Sequence, residues 1–430
     1  MPGQPPDRAS LDRLMESIEA DDAECARLLL DRDPDLRARI NEPIGPFDSP
    51  PLAGAQSRAM IDVLLAAGAD INAKSHWWAG GFGYLHTADP ELAAHAIERG
   101  AVVDVHAAAR LGHLDRLREF IERDPQSAHA RGGDGQTPLH FARTVEIAAF
   151  LLDHGADIDA LDIDHESTPA QWMLGDRLDV ARYLVQRGCT TDILLAAAAG
   201  DVDCVRKHLD ADPGCIRVRA TEEFFPMVNP KAGGKIYHWT LGPRASVYQA
   251  AAKGGDADVL RLLMERSPSE AKLIAACWLH DGATVASLRA QHSDIAENLS
   301  EVDRTEIAHA ARNNDTQAVL LMLEAGLPVS ARGQHRGTPL HWAAWHGNLN
   351  LVRALLRSNP PLEDAENDFH ATPMGWTTHG SEHGWHRKSG NYPAVVEALL
   401  EAGAKLPETI SGTEAVKEVL HSHGGKDGIA

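Results

Sequence analysis

The sequence predicts an all-α solenoid of about twelve helix pairs joined by short hairpin turns. The stretch that begins at Thr338 reads T-P-L-H-W-A, and the stretch that begins at Thr137 repeats it as T-P-L-H-F-A. Weaker copies begin at Thr168 and Thr372. Between the copies, as in residues 60–68, apolar residues recur at i, i+3 and i+4, which places one face of a helix inward. Such repetition is typical of helical units that stack in one dimension.

Each unit is predicted to contain a hairpin turn, a short inner helix and an outer helix. Thr-Pro pairs open inner helices, because threonine caps a helix start and proline is tolerated at its first position. Glycines such as Gly68 and Gly155 follow outer helices, where the left-handed conformation ends a helix. The predicted units begin near Leu11, Pro50, Gly83, Val105, Thr137, Thr168, Thr191, Ser246, Glu270, Glu306, Thr338 and Thr372.

Two insertions divide the predicted array. Residues 1–220 form N-terminal repeats, residues 221–243 an aromatic and glycine-rich insertion, and residues 244–424 C-terminal repeats. A second insertion spans residues 379–392, and residues 425–430 form a tail. Long insertions in a repeat array usually map to loops on one face, which is often the binding face.

The charge limits the possible partners. A formal net charge of −21 disfavours nucleic acid and anionic membrane surfaces, which both attract basic patches. A basic partner or a small polar ligand fits this charge better. We find no secretory signal and no apolar run long enough to span a membrane. The five cysteines are scattered, which favours a reducing, cytoplasmic setting.

These motifs resemble the ankyrin-repeat family over nearly the whole chain. The runs at residues 233–242 and 379–386 are similar to a group of bacterial ankyrin-repeat proteins. The resemblance implies no particular activity. It implies a concave groove in which the hairpin tips and the exposed side of the inner helices contact a ligand.

Aromatic, histidine and acidic residues are concentrated at these groove positions. Aromatic faces stack on flat ligands while carboxylates orient polar groups, so we expect a polar small molecule, a sugar, a peptide or a protein partner. Recognition is expected to be strongest in the last two units. The candidate ligand-binding residues are His76, Trp77, Trp78, Phe82, Asp164, His165, Glu166, Tyr237, His238, Trp239, Trp345, Phe369 and Trp385.

The 23 histidines leave three interpretations open. His106, His140 and His341 occupy the histidine position of the repeat, where the imidazole ties neighbouring turns together. His113, which follows the glycine of a helix link, is also expected to be structural. The histidines at groove positions are expected to join hairpins by hydrogen bonds, to line a ligand groove, or to form a catalytic or metal site. Under the enzyme alternative, a hydrolase, lyase or isomerase, the acid–base or metal-assisted groups are His335, His346, Asp368 and His379. Candidate metal ligands are Glu382, His383 and His386.

The spatial arrangement of these side chains distinguishes the two functions, binding protein and enzyme. An enzyme needs several of these groups within hydrogen-bond reach in one pocket that restricts water, whereas a binding groove spreads them along an open face. No phosphate loop, nucleophile elbow or dinucleotide fingerprint occurs, so the sequence identifies no cofactor. Trp172, Trp342 and Trp376 recur at one register and are predicted to lie in the core.

Overall fold

In the computed structural model, which describes residues 8–426, every regular element is helical. The β-type contacts found there are isolated bridges, between Gly45 and Ser49, Lys74 and Gly83, and Arg219 and Ser246. The predicted all-α class is therefore confirmed. None of the helices in the described chain combines the length and the apolar character that a membrane crossing needs.

The chain divides into two compact units, Met1–Leu262 and Leu263–Ala430. The helices of the first unit are α1 (Arg8–Glu19), α2 (Ala23–Arg32), α3 (Pro34–Ala38), α4 (Arg58–Ala66), α5 (Pro90–Glu98), α6 (Val105–Leu111), α7 (Leu114–Arg123), α8 (Pro138–Phe141), α9 (Val145–Asp153), α10 (Pro169–Met173), α11 (Leu178–Gln186), α12 (Ile193–Ala199), α13 (Val202–Ala211), α14 (Tyr237–Thr240) and α15 (Val247–Gly254). Helix α16 (Ala257–Arg266) spans the boundary.

The second unit continues the same pattern of paired helices. Its helices are α17 (Ser269–Trp278), α18 (Gly282–Gln291), α19 (Glu301–Arg304), α20 (Glu306–Arg312), α21 (Thr316–Ala325), α22 (Pro339–Trp345), α23 (Leu349–Leu356), α24 (Pro373–His383), α25 (Tyr392–Glu401) and α26 (Glu414–Ser422). Short 3-10 turns cover Pro46–Asp48, Pro51–Gly54, Tyr84–His86, Pro125–His129, Gly133–Gly135, Pro213–Arg217 and Gln334–Arg336.

The predicted unit starts match this helix order, with two differences. The inner elements expected from Pro50 and Gly83 are single 3-10 turns, Pro51–Gly54 and Tyr84–His86. Both are held by the tighter i→i+3 hydrogen bonds, such as those from the N–H of Ala53 to the carbonyl of Pro50 and from the N–H of His86 to the carbonyl of Gly83. The remaining inner elements are α-helices, and the array of helix pairs is an all-α solenoid.

Local sequence determines where the helices begin and end. Thr168 and Thr372 accept hydrogen bonds from backbone N–H groups at the start of α10 and α24, with proline at the next position. Gly68 and Gly155 follow outer helices with φ of +99° and +87°, as predicted. Asp124 ends α7 and also caps the 3-10 turn that follows it.

The two predicted insertions differ in structure. Residues 221–243 separate α13 from α15 and contain α14, while α12 packs directly against α15. The second insertion, residues 379–392, begins inside helix α24, which continues to His383. The boundary between the two units falls between Leu262 and Leu263, inside α16, and thus follows the first insertion in the chain. Of the predicted tail, residues 427–430 lie outside the described residues.

Candidate functional site

A repeated hairpin-tip position supplies the side chains of the candidate sites. This tip lies three residues before the capping threonine, and the residue four after that threonine is aromatic. In the second unit His335 lies 6.3 Å from Trp342, and Phe369 lies 5.6 Å from Trp376, measured between ring centroids. In the first unit His165 lies 5.2 Å from Trp172. The repeat therefore places each tip ring beside an inner-helix indole.

In the second unit, these tips and helices enclose a cavity of about 390 Å³. Helices α22 and α24 supply most of its wall, and Trp385 is contributed by residues 379–392. A volume of this size suits a small ligand or a large side chain. We call this cavity the tryptophan pocket; its side-chain walls are Trp342, Trp345, Trp376, Trp385, Phe369, His335 and His379.

The indoles of the tryptophan pocket pack on one another at fixed angles. Trp342 meets Trp376 edge to face, with centroids 5.0 Å apart. Trp342 and Trp385 are stacked, with centroids 6.0 Å apart and planes inclined by 21°. Trp342 and Trp376 are 4% and 5% exposed, whereas Trp385 is 58% exposed. The predicted core role of Trp342 and Trp376 is confirmed by their burial, but sequence reasoning missed that they also form pocket walls.

Three walls of the pocket carry hydrogen-bond donors that have no partner. The indole N–H groups of Trp342, Trp345 and Trp376 are buried, and no acceptor reaches them among the described residues. A buried donor without an acceptor loses free energy, on the order of 1–3 kcal/mol each. These donors are available to an acceptor that enters the pocket, whether on water or on a ligand.

A histidine and a carboxylate lie together at the edge of the pocket. Nδ1 of His335 is 3.3 Å from a carboxylate oxygen of Asp368, and both side chains are exposed. The Arg312 guanidinium lies over the rings of Trp342 and Trp385, at 5.7 Å and 5.2 Å from their centroids. Burial lowers the pKa of Arg312 from its usual range. The indole faces of this pocket therefore already accept a guanidinium.

His346 lies behind the pocket and does not open into it. It is 2% exposed, and its Nε2 donates to the carbonyl oxygen of Arg312 at 2.8 Å. Burial lowers the pKa of His346 to about 4, so the ring is neutral at pH 7. Of the four groups proposed for catalysis, His335 and His379 line the pocket, Asp368 pairs with His335, and His346 is separated from them.

The proposed metal ligands of residues 379–392 contact different neighbours. His383 packs on His379, with ring centroids 4.6 Å apart, and its Nε2 is 3.9 Å from the carboxylate of Glu382. His386 instead lies 5.0 Å from the ring of His346. In the described part of the chain, the clusters of three or more metal-compatible groups are at other positions.

The N-terminal candidates form an aromatic patch in the first unit. Trp77 meets Phe47 edge to face at 5.2 Å and lies 6.4 Å from Trp78, and His76 is exposed. Phe82 packs against the backbone of Gly133, where a Cβ atom would lie 2.4 Å from the ring. Phe82 thus joins neighbouring hairpins, while Phe47 is 65% exposed.

The turn formed by Asp164, His165 and Glu166 holds the first insertion in place. Glu166 accepts hydrogen bonds from the backbone N–H groups of Val228 and Asn229, the shorter at 2.7 Å. Asp164 accepts from the N–H of Gly233, and Nδ1 of His165 donates to the carbonyl of Gly234. Glu166 therefore uses both of its carboxylate oxygens in structural bonds, whereas Asp164 and His165 each use one side-chain atom.

Asp134, which sequence reasoning missed, lies beside this turn. Burial and the neighbouring Asp164 raise the pKa of Asp134 to about 7. The register would have identified it, since Asp134 occupies the same tip position as His165 and His335. Both Asp134 and His335 have a positive φ, +54° and +55°.

Of the candidates Tyr237, His238 and Trp239, the first is separated from the other two, whose exposed rings lie 5.1 Å apart. The Tyr237 side chain is fully buried and donates to Asp192 at 2.6 Å, so it is unavailable to a ligand in this structure. Helix α14 rotates successive side chains by about 100°, which leaves Trp239 68% exposed. The predicted core residue Trp172 is only partly buried, unlike Trp342 and Trp376, which occupy the equivalent position in their repeats.

A second cluster, His86, Asp104 and His106, is satisfied by its own bonds. Nε2 of His86 lies 3.0 Å from the Asp104 carboxylate, which also accepts from the N–H of Ala107 and from Lys74. Nε2 of His106 bonds to the carbonyl of Ala130. His86 follows Gly83 at the spacing of His140 after Thr137, and this spacing was the missed sequence signal.

Comparisons with known proteins agree with this architecture. The family model described as "Ankyrin repeats (3 copies)" matches residues 105–194 and 247–366. An acyl-CoA-binding domain-containing protein 2 of Arabidopsis thaliana is 35% identical over 68 residues, which are 16% of this chain and 19% of that protein. The E3 ubiquitin-protein ligase XB3 of Oryza sativa subsp. japonica is 32% identical over 95 residues, or 22% of this chain and 21% of that protein.

A third relative extends further along this chain. The ankyrin repeat and SAM domain-containing protein 6 of Rattus norvegicus is 26% identical over 150 residues, which cover 34% of this chain and 17% of that protein. The matches thus span about a fifth of each of these relatives. What is shared is the repeat, whose capped inner helices and hairpin tips form a scaffold for protein interactions. The repeated capping motif, the paired helices and the family match together show that the chain is an ankyrin-repeat protein.

Proposed function

We propose that the second unit binds a basic segment of a partner protein and inserts one lysine or arginine side chain of that segment into the tryptophan pocket. The observation that carries this proposal is the set of five aromatic rings, four indoles and Phe369, around one cavity of about 390 Å³. Aromatic faces attract ammonium and guanidinium groups, and they also cover the aliphatic stems of these side chains.

Charge supports a cationic occupant. The Asp368 carboxylate is exposed beside His335 at the pocket edge, and the whole chain carries a formal charge of −21. Arg312 over Trp342 and Trp385 is an internal example of the contact that we propose. A basic segment is therefore attracted over a distance and held by the rings on arrival.

The unpartnered indole donors support a peptide over a free amine. Trp342, Trp345 and Trp376 each present a buried N–H group that needs an acceptor. A peptide supplies carbonyl oxygens next to the inserted side chain, whereas a simple amine supplies none. The cationic side chain of a peptide matches the aromatic faces of the pocket, and its backbone carbonyls match the indole N–H groups.

Binding of short peptides to the full chain tests the proposal. Arginine- and lysine-rich peptides should bind, and acidic peptides of equal length should not. Trp385→Ala removes an exposed wall and should weaken binding roughly tenfold, the loss of one cation–π contact and its packing. Trp239→Ala, at an exposed tryptophan of the first unit, is the matched control and should bind like the wild type.

Trp345→Ala provides a second test of the same wall. It should abolish binding with a small change in melting temperature, because Trp345 is only partly buried. Equal binding of acidic and basic peptides, or normal binding by both tryptophan variants, would exclude the tryptophan pocket as the site.

We do not propose acid–base catalysis. The His335–Asp368 pair is exposed to solvent, and the buried His346 uses its Nε2 on a backbone carbonyl. The groups of the enzyme alternative thus do not share one pocket that restricts water, which general acid–base catalysis with these residues requires.

A further inference from the structure

Three buried side chains of the first unit bring metal-ligand atoms together. Asp134, Asp164 and His165 each offer one such atom, and the three atoms lie within 4.8 Å of one another. The backbone fixes their positions, because the N–H of Ile163 donates to the carbonyl of Asp134 at 2.7 Å. This backbone hydrogen bond joins the two neighbouring hairpin tips that carry the three side chains.

The orientation of His165 suits a metal ligand. Its Nδ1 lies 2.6 Å from the carbonyl oxygen of Gly234, and a carbonyl can only accept, so Nδ1 carries the proton. In the neutral ring the lone pair is on Nε2, which lies 3.6 Å from a carboxylate oxygen of Asp164. Metal-binding histidines in proteins typically donate their other N–H group in this way.

Asp164 is held in a similar manner. Its Oδ1 accepts a hydrogen bond from the N–H of Gly233, while Oδ2 faces His165. The neighbouring Asp162 differs, because each of its two oxygens accepts from a backbone N–H group, those of His165 and Ser167. Asp162 therefore shapes the turn, and Asp164 has an oxygen left for a cation.

The carboxylate of Asp134 is the unexplained group. Asp134 is 7% exposed, and the side-chain donor beside its carboxylate is the indole N–H of Trp77. This N–H does not meet its acceptor in normal hydrogen-bond geometry. Removing a carboxylate from water costs free energy unless a cation or donors replace the water. Within the described residues, the one ion pair in this group is His165 with Asp164.

We propose that Asp134, Asp164 and His165 bind a divalent transition-metal ion, with Zn²⁺ as the best fit. One imidazole nitrogen and two carboxylate oxygens are ligands that Zn²⁺ accepts, and two carboxylates balance its charge in a buried site. Gly233 and Gly234 form backbone hydrogen bonds with the ligands Asp164 and His165. The bound ion therefore also stabilises the attachment of residues 221–243 to the repeats. Three protein ligands leave one position for water or a partner group.

Metal titration of the full chain tests this site. The chain is first stripped with a chelator, and Zn²⁺ binding and the melting temperature are then measured. One Zn²⁺ per chain should bind with high affinity and raise the melting temperature. Ca²⁺ should give a smaller shift, because it prefers more oxygen ligands.

Asp134→Asn gives the decisive variant. Without metal it should be as stable as the wild type or more stable, because it replaces a buried carboxyl group with a neutral amide. It should nevertheless bind Zn²⁺ at least roughly tenfold more weakly. Asp157→Asn, at an exposed turn position of a neighbouring hairpin, is the control and should keep the full Zn²⁺ response.

Two results would overturn the proposal. The first is wild-type protein that binds no stoichiometric Zn²⁺. The second is an equal Zn²⁺ response in the wild type and Asp134→Asn, which would assign the ion to other histidines. Trp385→Ala should leave Zn²⁺ binding unchanged, so this result stands apart from the peptide experiment.

Discussion

At the residue scale, the histidine of the capping motif acts as a neutral connector. The N–H of Thr137 donates to Nδ1 of His140, so Nδ1 accepts and Nε2 carries the proton that bonds to the carbonyl of Ser167. His341 repeats this pattern with Thr338. Protonation of Nδ1 would remove the acceptor and bury a charge, so burial lowers the pKa of His140 to about 3.

This depressed pKa predicts acid sensitivity of the fold. Below about pH 6.5 the unfolded His140 binds a proton that the folded ring excludes, so stability present above that pH is lost as pH falls toward 3. The loss approaches about 1.4 kcal/mol per pH unit for each such histidine. His140→Gln should flatten the acid limb, because Gln171 fills the same position in the next repeat.

Urea unfolding at several pH values measures this effect. At neutral pH, His140→Gln should cost on the order of 1 kcal/mol, and the gap to the wild type should shrink as pH falls. His129→Gln, at an exposed histidine of the same unit, should keep the wild-type acid limb. Parallel curves for wild type and His140→Gln would show that other groups cause the acid sensitivity.

At the element scale, small residues set how closely inner helices pack. Helix α12 carries four buried alanines at 196–199 and lies against α15. At Gly254 a Cβ atom would lie 2.4 Å from the carbonyl oxygen of Ala198, so only glycine allows this approach. The adjacent Gly255 has φ +72° and open space around it, so its role is to end the helix.

These neighbouring glycines form a matched pair of variants. Gly254→Ala should lower the free energy of unfolding by about 2–3 kcal/mol, because the helices must separate. Gly255→Ala should lower it by about 1 kcal/mol, the cost of a left-handed alanine. Chemical denaturation of both variants measures the difference, and equal losses would mean that α12 and α15 shift apart without resistance.

At the scale of the whole molecule, excess negative charge opposes folding. The chain has 62 acidic residues against 41 lysines and arginines. Exposed pairs such as Arg27 with Glu24, 2.6 Å apart, each contribute little in water. Self-repulsion of a highly charged chain destabilises its compact state. The same charge attracts the basic segment that we propose as the partner.

Salt should therefore stabilise the protein. Raising NaCl from about 10 mM to about 150 mM shortens the Debye length from about 30 Å to about 8 Å and screens the repulsion. We expect the melting temperature of chelator-treated protein to rise. Repeating the series with KCl separates screening from binding of a particular ion. A falling melting temperature would mean that attractive ion pairs outweigh the repulsion.

Most residues of the tryptophan pocket could be predicted from the sequence. His335, Trp345, Phe369, His379 and Trp385 were predicted groove residues, and the structure places all five around one pocket. Whether they bind a ligand stays a prediction. Their partners Trp342 and Trp376 were assigned to the core, because one recurring register cannot separate a packed indole from one that also lines a cavity.

The sequence alone determined the helical class, the repeat register and the helix ends. Capping, proline and glycine preferences act within a few residues, so local sequence is sufficient for them. Only the tertiary structure decided which side chains meet. His165 and Gly234 are 69 residues apart in the chain, yet Nδ1 of His165 lies 2.6 Å from the carbonyl oxygen of Gly234. Asp134 becomes a candidate metal ligand only because the fold brings it beside Asp164 and His165. Such contacts depend on how hairpins stack and how an insertion folds back, which the spacing of residues in one dimension does not encode.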